Sequence, residues 1–377
     1  VHNQLITLNE DYLLKIVELE GRLLSSNGDL PCIDGHPGYN NIVKINSVFS
    51  SFPKFLPVDR TLLTKSPFKM VIPRPWTTPS VQLTLSDAMS ARVNQITTNS
   101  DKINLMWSGG IDSTAMISAF LQNCNDLSQL RILYSPWSTY EHPDYYEFLK
   151  TFSNLELVDI SGDRYLNWDF DGVTVTGDGG DELMASLDQS FIETHGWDIL
   201  HTPWQDFFYK MYTDDNFIEF CNSHFLQAGR DINTVLEARW WFYTSCKSRS
   251  ILTTKYTLLF DLDNFNVNSL LGFYDSNEFE SYIFWNIEDC ISSKEYTSWK
   301  QVLKDYSLKF DGLTNWAVSK AKAHSIQPLL YSRKKLLLKQ QNWLALLDDG
   351  TRISTPSLPL LTTAEYNKVN LKWAFND

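Results

Sequence analysis

Residues 103–116 read INLMWSGGIDSTAM. An apolar run, Ile103 to Trp107, passes without a spacer into Ser108, Gly109 and Gly110, then into Ile111, Asp112, Ser113, Thr114 and a helix-compatible tail. A short apolar run bounded by glycines has the length and composition of a buried strand. The segment after it is either a tight turn with a helix cap or a ligand cradle: glycines let the backbone approach a ligand closely, and a helix N-terminus offers free N–H groups and a positive dipole end.

The same pattern repeats downstream. LRILYS (130–135), LELVDI (155–160) and GVTVTG (172–177) read as further strands. They alternate with expected helices at about 113–122, at 144–152 and from near Asp181. Short apolar strands alternating with helices define an α/β fold, a parallel sheet with helices on both faces. From about 196 onward the chain is rich in aromatics and reads as mostly helical, with WWFY (240–243) expected to be packed core. Upstream, LSDAMSARVNQITT has helical spacing with a cap expected at Ser86, and residues 10–24 form a possible first helix. Four prolines in PFKMVIPRPWTTPS (67–80) mark an extended connector. The expected division is therefore a small N-terminal region, 1–80, and a domain of 81–377, with a nucleotide-binding core at about 100–195 and a helical, substrate-shaping part at about 196–377.

Open parallel sheets bind ligands beyond the carboxyl ends of their strands, and a second unusual turn sits at such an end. TGDGGDELMAS (176–186) places Asp178, Asp181 and Glu182 among Gly177, Gly179 and Gly180. Acids crowded at a strand end are costly unless a cation or a basic group is present. Together the two turns point to one Mg-nucleotide site. The Ser108–Thr114 turn suits phosphates, and Asp112 beside it makes sense chiefly if Mg²⁺ mediates between acid and phosphate. No G-x-x-x-x-G-K-[ST] loop is present.

Composition narrows the class. A formal charge of −13 and a pI near 5.0 argue against a surface devoted to nucleic acid. The basic runs CKSRS (246–250), SKAKAH (319–324) and SRKKLLLK (332–339) read as solvated faces. No apolar run has the length of a membrane span, and the acidic start does not resemble a signal peptide. The cysteines (Cys32, Cys124, Cys221, Cys246, Cys290) form no C-x-x-C pair, which argues for a reducing compartment and against a zinc ribbon. A cytoplasmic protein is the expectation, with Cys32 as a small buried residue. Oligomeric state is left open.

SGGIDS (108–113) resembles the pyrophosphatase loop of the adenine-nucleotide α-hydrolase-like (PP-loop) enzymes, which split ATP into AMP and pyrophosphate. TGDGGDEL (176–183) resembles the matching segment of the asparagine synthetase synthetase domain, shared with β-lactam synthetase and lasso-peptide cyclases. FYDSNEFESY (273–282) is similar to that family's P-F-L-D stretch, with Asp275 at the acid. Residues 299–325 resemble its late K-x-x-L-R … R-x-K stretch: Lys300 stands at the first Lys, Lys304 and Lys320 replace the arginines, and Lys322 matches the last Lys.

The resemblance implies a HUP-like ATP pyrophosphatase fold and an ATP- and Mg²⁺-dependent amide ligase. In it, a small-molecule or peptide carboxylate is adenylated, pyrophosphate leaves, and an amine or ammonia displaces AMP. Ser108, Gly109, Gly110, Asp112, Ser113 and Thr114, with Gly177, Asp178 and Gly179, would surround the nucleotide phosphates, and Leu133, Tyr134 and Ser135 would meet adenine through backbone groups. Asp112 and Asp181 would hold the metal, Lys322 would stabilise the pentavalent phosphorus, and Glu182 would orient or deprotonate the amine. Val1, His2 and Asn3 stand where a glutaminase would place its catalytic Cys, and residues 1–80 are too few for that domain. Nitrogen is therefore expected as ammonia, as a substrate amine, or from a separate nitrogen-donating protein. Two other readings compete: a PP-loop enzyme modifying a nucleobase or tRNA, and an inactive nucleotide-binding regulator.

Overall fold

The computed structural model describes residues 37–49, 59–64, 75–160, 171–185, 189–247, 270–291, 300–313, 344–346 and 352–354. The possible helix at 10–24, Cys32, Lys320 and Lys322 lie outside them.

The chain divides into two compact units. One comprises residues 78–189 and 262–329; the other gathers 1–77, 190–261 and 330–377. This differs from the two consecutive regions read from the sequence. The chain passes from one unit to the other at 77/78, beside the proline-rich connector, but residues 190–261 group with the N-terminal residues rather than with the sheet.

The first unit is built on five parallel strands: β1 (Ile103–Met106), β2 (Leu130–Tyr134), β3 (Glu156–Asp159), β4 (Val173–Thr176) and β5 (Leu270–Gly272). Their order is β3-β2-β1-β4-β5. Chain progression runs outward from β1 in one direction to β3 and in the other from β4 to β5, so β1 and β4 flank the topological switch point where such sheets bind ligands. Every residue of β1 and of β4 is buried. Successive side chains of a strand point to opposite faces, so both faces are covered there. β5 was invisible as a strand in the sequence: Leu270-Leu271-Gly272 is three residues long, too short for any periodicity to register.

Helices flank the strands. Leu85–Thr98 packs on Asn277–Trp285, and Ile111–Asn123 packs on Gln301–Asp311. The first of these is capped by Thr84, not Ser86. Thr84 Oγ1 accepts from the Asp87 amide, while the Asp87 carboxylate accepts from the Thr84 amide and hydroxyl. The capping box needs its acid three residues after the cap, and Asp87 meets that only for Thr84. Arg92, buried on this helix, donates to the carbonyls of Gly272 at 2.8 Å and Phe273 at 3.1 Å, closing the carboxyl end of β5.

The second unit owes its core to aromatic residues. Phe49, at the end of the helix Pro37–Phe49, meets Phe191, Phe207, Phe208 and Phe242. Trp240 to Tyr243 are all buried, as expected of packed core, and Trp76 lies edge-on to both tryptophans. The carbonyl of Phe49 accepts from the guanidinium of Arg239 and, at 3.0 Å, from the Tyr243 hydroxyl, so this buried cation has its charge directed at a helix C-terminus. Residues Leu344–Leu346 and Arg352–Ser354 pair as an antiparallel ribbon. Among the described residues no helix is long and apolar enough to cross a membrane.

Replacing Arg92 with Met keeps the stem and removes the donors, taking the guanidinium from the Phe273 carbonyl and leaving the Gly272 carbonyl to the Asp275 amide. Urea unfolding of Arg92→Met should show a loss of about 2–4 kcal/mol, against under about 1 kcal/mol expected for a surface Arg→Met control.

Candidate functional site

β1 and β4 are neighbours in register, with Met106 opposite Thr176. The loops that leave them therefore start side by side. They meet so closely that side chains would not fit between them. A Cβ on Gly177 would lie 2.7 Å from the Ser113 nitrogen, and one on Gly180 would lie 2.5 Å from Asp112 Oδ1. Those two glycines are what lets the TGDGGDEL loop rest on the start of the helix Ile111–Asn123.

That helix begins without a side-chain cap, because its N-cap is Gly110. First-turn amides left uncapped at a strand end suit an anion. The loop before them is held by its own serines. Ser108 and Ser113 hydroxyls are 2.9 Å apart, the Ser108 amide donates to Ser113 Oγ at 3.1 Å, and the Gly110 amide donates to Ser108 Oγ at 3.2 Å. Gly109 is buried at positive φ, where a Cβ would meet the Ser138 carbonyl.

The acids come together through a residue from elsewhere in the chain. Lys300 Nζ donates to Asp112 Oδ1 at 2.7 Å and Oδ2 at 2.5 Å, and also to Asp181 Oδ1. The lysine is buried, while the Asp112 and Asp181 side chains are 22% and 51% exposed; the cluster is reached from the Asp181 side. Burial alone would disfavour the charged ammonium, but the two carboxylates outweigh it and hold Lys300 above the ordinary lysine range. Its backbone is left-handed, with φ 57° and ψ 31°, at the start of the helix Gln301–Asp311. For a residue with a Cβ that conformation costs about 1–2 kcal/mol, and the ion pairs must offset it. Tyr274 adds a second tie, its hydroxyl donating to the Asp112 carbonyl at 2.9 Å.

Other predicted site residues fall differently. Thr114 is fully buried; its Oγ1 accepts from the Trp107 indole at 3.1 Å and its amide donates to the Gly110 carbonyl. It braces the loop from behind rather than facing a ligand, because it stands on the inward face of the helix. Backbone groups assigned to adenine already have partners: the Leu133 carbonyl accepts from the Trp107 amide, the Tyr134 carbonyl from the Ile160 amide, and the Ser135 amide donates to Ser138 Oγ. Aromatic rings stand nearby instead, with Tyr134, Tyr146 and Trp107 in contact. Glu182 is buried one residue from half-exposed Asp181, on the short helix Gly180–Leu183 that starts from left-handed Gly179; Asp178 is half-buried just before it. Asp275 follows β5, its amide donating to the Gly272 carbonyl.

A second cluster, in the other unit, has metal-like composition: Asp59, His224 and Cys246, all buried. Its members are already paired with one another and with neighbouring groups. Trp241 donates its indole N–H to His224 Nδ1 at 3.0 Å, so the ring proton sits on Nε2, which faces Asp59 Oδ1 at 3.3 Å. A metal here would have to displace that proton and the Asp59 contact. Asp59 also accepts from the amides and hydroxyls of Thr61 and Thr64. Burial would raise its pKa, but these bonds and His224 hold it well below the ordinary carboxylate range. Burial pushes the Cys246 thiol well up, which makes it unreactive.

Compared with known proteins, the chain matches no family model and no curated sequence. The site is thus defined by its own geometry: an uncapped helix start and a two-acid cluster at the switch point of a parallel sheet.

Gly180→Ala should push the Asp112 carboxylate away from its place on Lys300, or the loop away from the helix. Thermal unfolding should show a drop of several degrees, against little change for Gln122→Ala, an exposed position on the helix Ile111–Asn123.

Proposed function

We propose that this chain is an ATP-dependent, AMP-forming amide ligase of the asparagine synthetase-like PP-loop type. The observation that carries the proposal is the convergence of Asp112 and Asp181 on one cation beside the uncapped first turn of Ile111–Asn123. Two carboxylates sharing one ammonium form a donor set that also suits a hard divalent ion, which binds through oxygens.

In the proposed reaction, a carboxylate oxygen of the substrate attacks the α-phosphorus of ATP and the α–β bond breaks. The first-turn amides and the hydroxyls of Ser108 and Ser113 receive the departing pyrophosphate, with the helix dipole favouring its charge. Asp112 and Asp181 would hold Mg²⁺, which when bound neutralises phosphate charge. An amine or ammonia then attacks the acyl carbon, AMP leaves with the C–O electron pair, and the amine's proton passes to a base. Glu182, one residue from Asp181, is the nearest acid in the chain for that role. Lys322, matched only through the resemblance, would be the cation at the α-phosphate.

Incubating the protein with Mg-ATP and panels of acids and amines should release AMP and pyrophosphate; ADP and phosphate as products would overturn the proposal. Asp112→Asn and Asp181→Asn should each lower turnover by about 10²-fold or more, with folding checked by circular dichroism. Normal activity in either variant would remove that acid from the site.

A further inference from the structure

Lys300 occupies the position that the proposed function assigns to the metal. We propose that it is a tethered cation: it holds Asp112 and Asp181 together until a metal-bound triphosphate arrives, then gives up the carboxylates and pairs with the phosphates. The inference rests on the proposed nucleotide function and deepens it by assigning this site an order of binding.

The charges decide the behaviour. Lys300 contacts both oxygens of Asp112 and one of Asp181, so a divalent ion reaching these oxygens competes with the ammonium and is repelled by its charge. A metal arriving alone would displace a buried ammonium and leave it without its counter-charges, which is strongly unfavourable. A metal arriving with a triphosphate brings the ammonium new anionic partners. Metal and polyphosphate therefore assist one another's binding through one side chain, a coupling free energy in the linkage sense. Lysine suits this exchange, being a compact point charge on a flexible four-carbon stem.

The placement agrees. The Asp181 side chain is half exposed where Lys300 is buried, so an incoming ion meets an acid first and the ammonium behind it. The uncapped turn of Ile111–Asn123, to which Asp112 belongs, offers amides for the phosphates beside the ammonium. Lys300 also adopts left-handed backbone at a helix start where it supplies no capping bond. Glycine or asparagine would sit there with less strain, so the position is held for its ammonium.

Mn²⁺ binding, read from the electron paramagnetic resonance of the free ion, tests this without turnover. Lys300→Met and Lys300→Gln should bind Mn²⁺ alone about tenfold or more tightly than the unaltered protein. The Mn²⁺ complex of a non-hydrolysable ATP analogue should show the reverse, binding the unaltered protein about tenfold more tightly than either variant. This crossover is the expected result, and a purely structural lysine would not give it. Equal Mn²⁺ affinity in all three proteins, or loss of both affinities in folded variants, would overturn the exchange while leaving the nucleotide reading intact. Variants that stay unfolded in saturating Mn²⁺ would also overturn it, since the metal then cannot take the ammonium's place. Absence of Mn²⁺ binding to all three proteins, with or without the analogue, would overturn the metal reading and the exchange together.

Discussion

Everything at the candidate site depends on two loops lying closer than side chains allow. β1 and β4 are hydrogen-bonded neighbours in parallel register, so their outgoing loops begin one strand spacing apart, roughly 4.8 Å. Ordinary residues would splay them. Gly177 and Gly180 remove the Cβ atoms that would strike Ser113 and Asp112, and the second loop settles onto the helix start. Only then does Asp181 come close enough to Asp112 for one ammonium to serve both. The glycines in SGG and GDGG thus have unequal duties: some permit a turn, while these two permit an approach.

The close approach creates an electrostatic problem that the fold solves from a distance in sequence. Two carboxylates within reach of one cation repel one another unless that cation is present. Lys300 lies 188 residues from Asp112, on a helix that packs against Ile111–Asn123. Packing of those two helices therefore fixes the cluster's charge balance, and core packing and site electrostatics are one constraint rather than two. Arg92 has a related part, since its bonds to Gly272 and Phe273 set the end of β5 from which Tyr274 reaches the Asp112 carbonyl.

Much of this was legible in the sequence, for identifiable reasons. β1 to β4 are short stretches of four or five residues rich in β-formers, and helix-compatible segments follow β1 and β2, so the parallel α/β class was readable. Both acidic and glycine-rich turns could be picked out because each breaks a strand pattern abruptly. The illegible parts depend on long-range geometry. Three-residue β5 has no period to detect. The grouping of 190–261 with the N-terminal residues leaves no local mark on composition. Thr114 looks like its neighbour Ser113 in sequence, yet helix phase turns one hydroxyl to the Trp107 indole and the other to Ser108. Lys300 was visible only as one lysine in a loose motif; its contact with both acids is a product of folding.

The two charge clusters differ in how their acids are held. Asp59 accepts from Thr61, Thr64 and His224, all anchored by short side chains or by backbone. His224 is itself oriented by Trp241. His224 stands on the helix Asp215–Phe225, and Thr61 and Thr64 bind through backbone as well as hydroxyl, so these partners are fixed by the backbone that carries them. Asp112 and Asp181 depend instead on the end of a long, flexible side chain, and Asp181 is open to solvent. A partner that can withdraw without moving the backbone is one that a stronger cation, accompanied by phosphate, can replace. A counter-ion on a long stem, rather than buried acids as such, separates the candidate site from the Asp59 cluster.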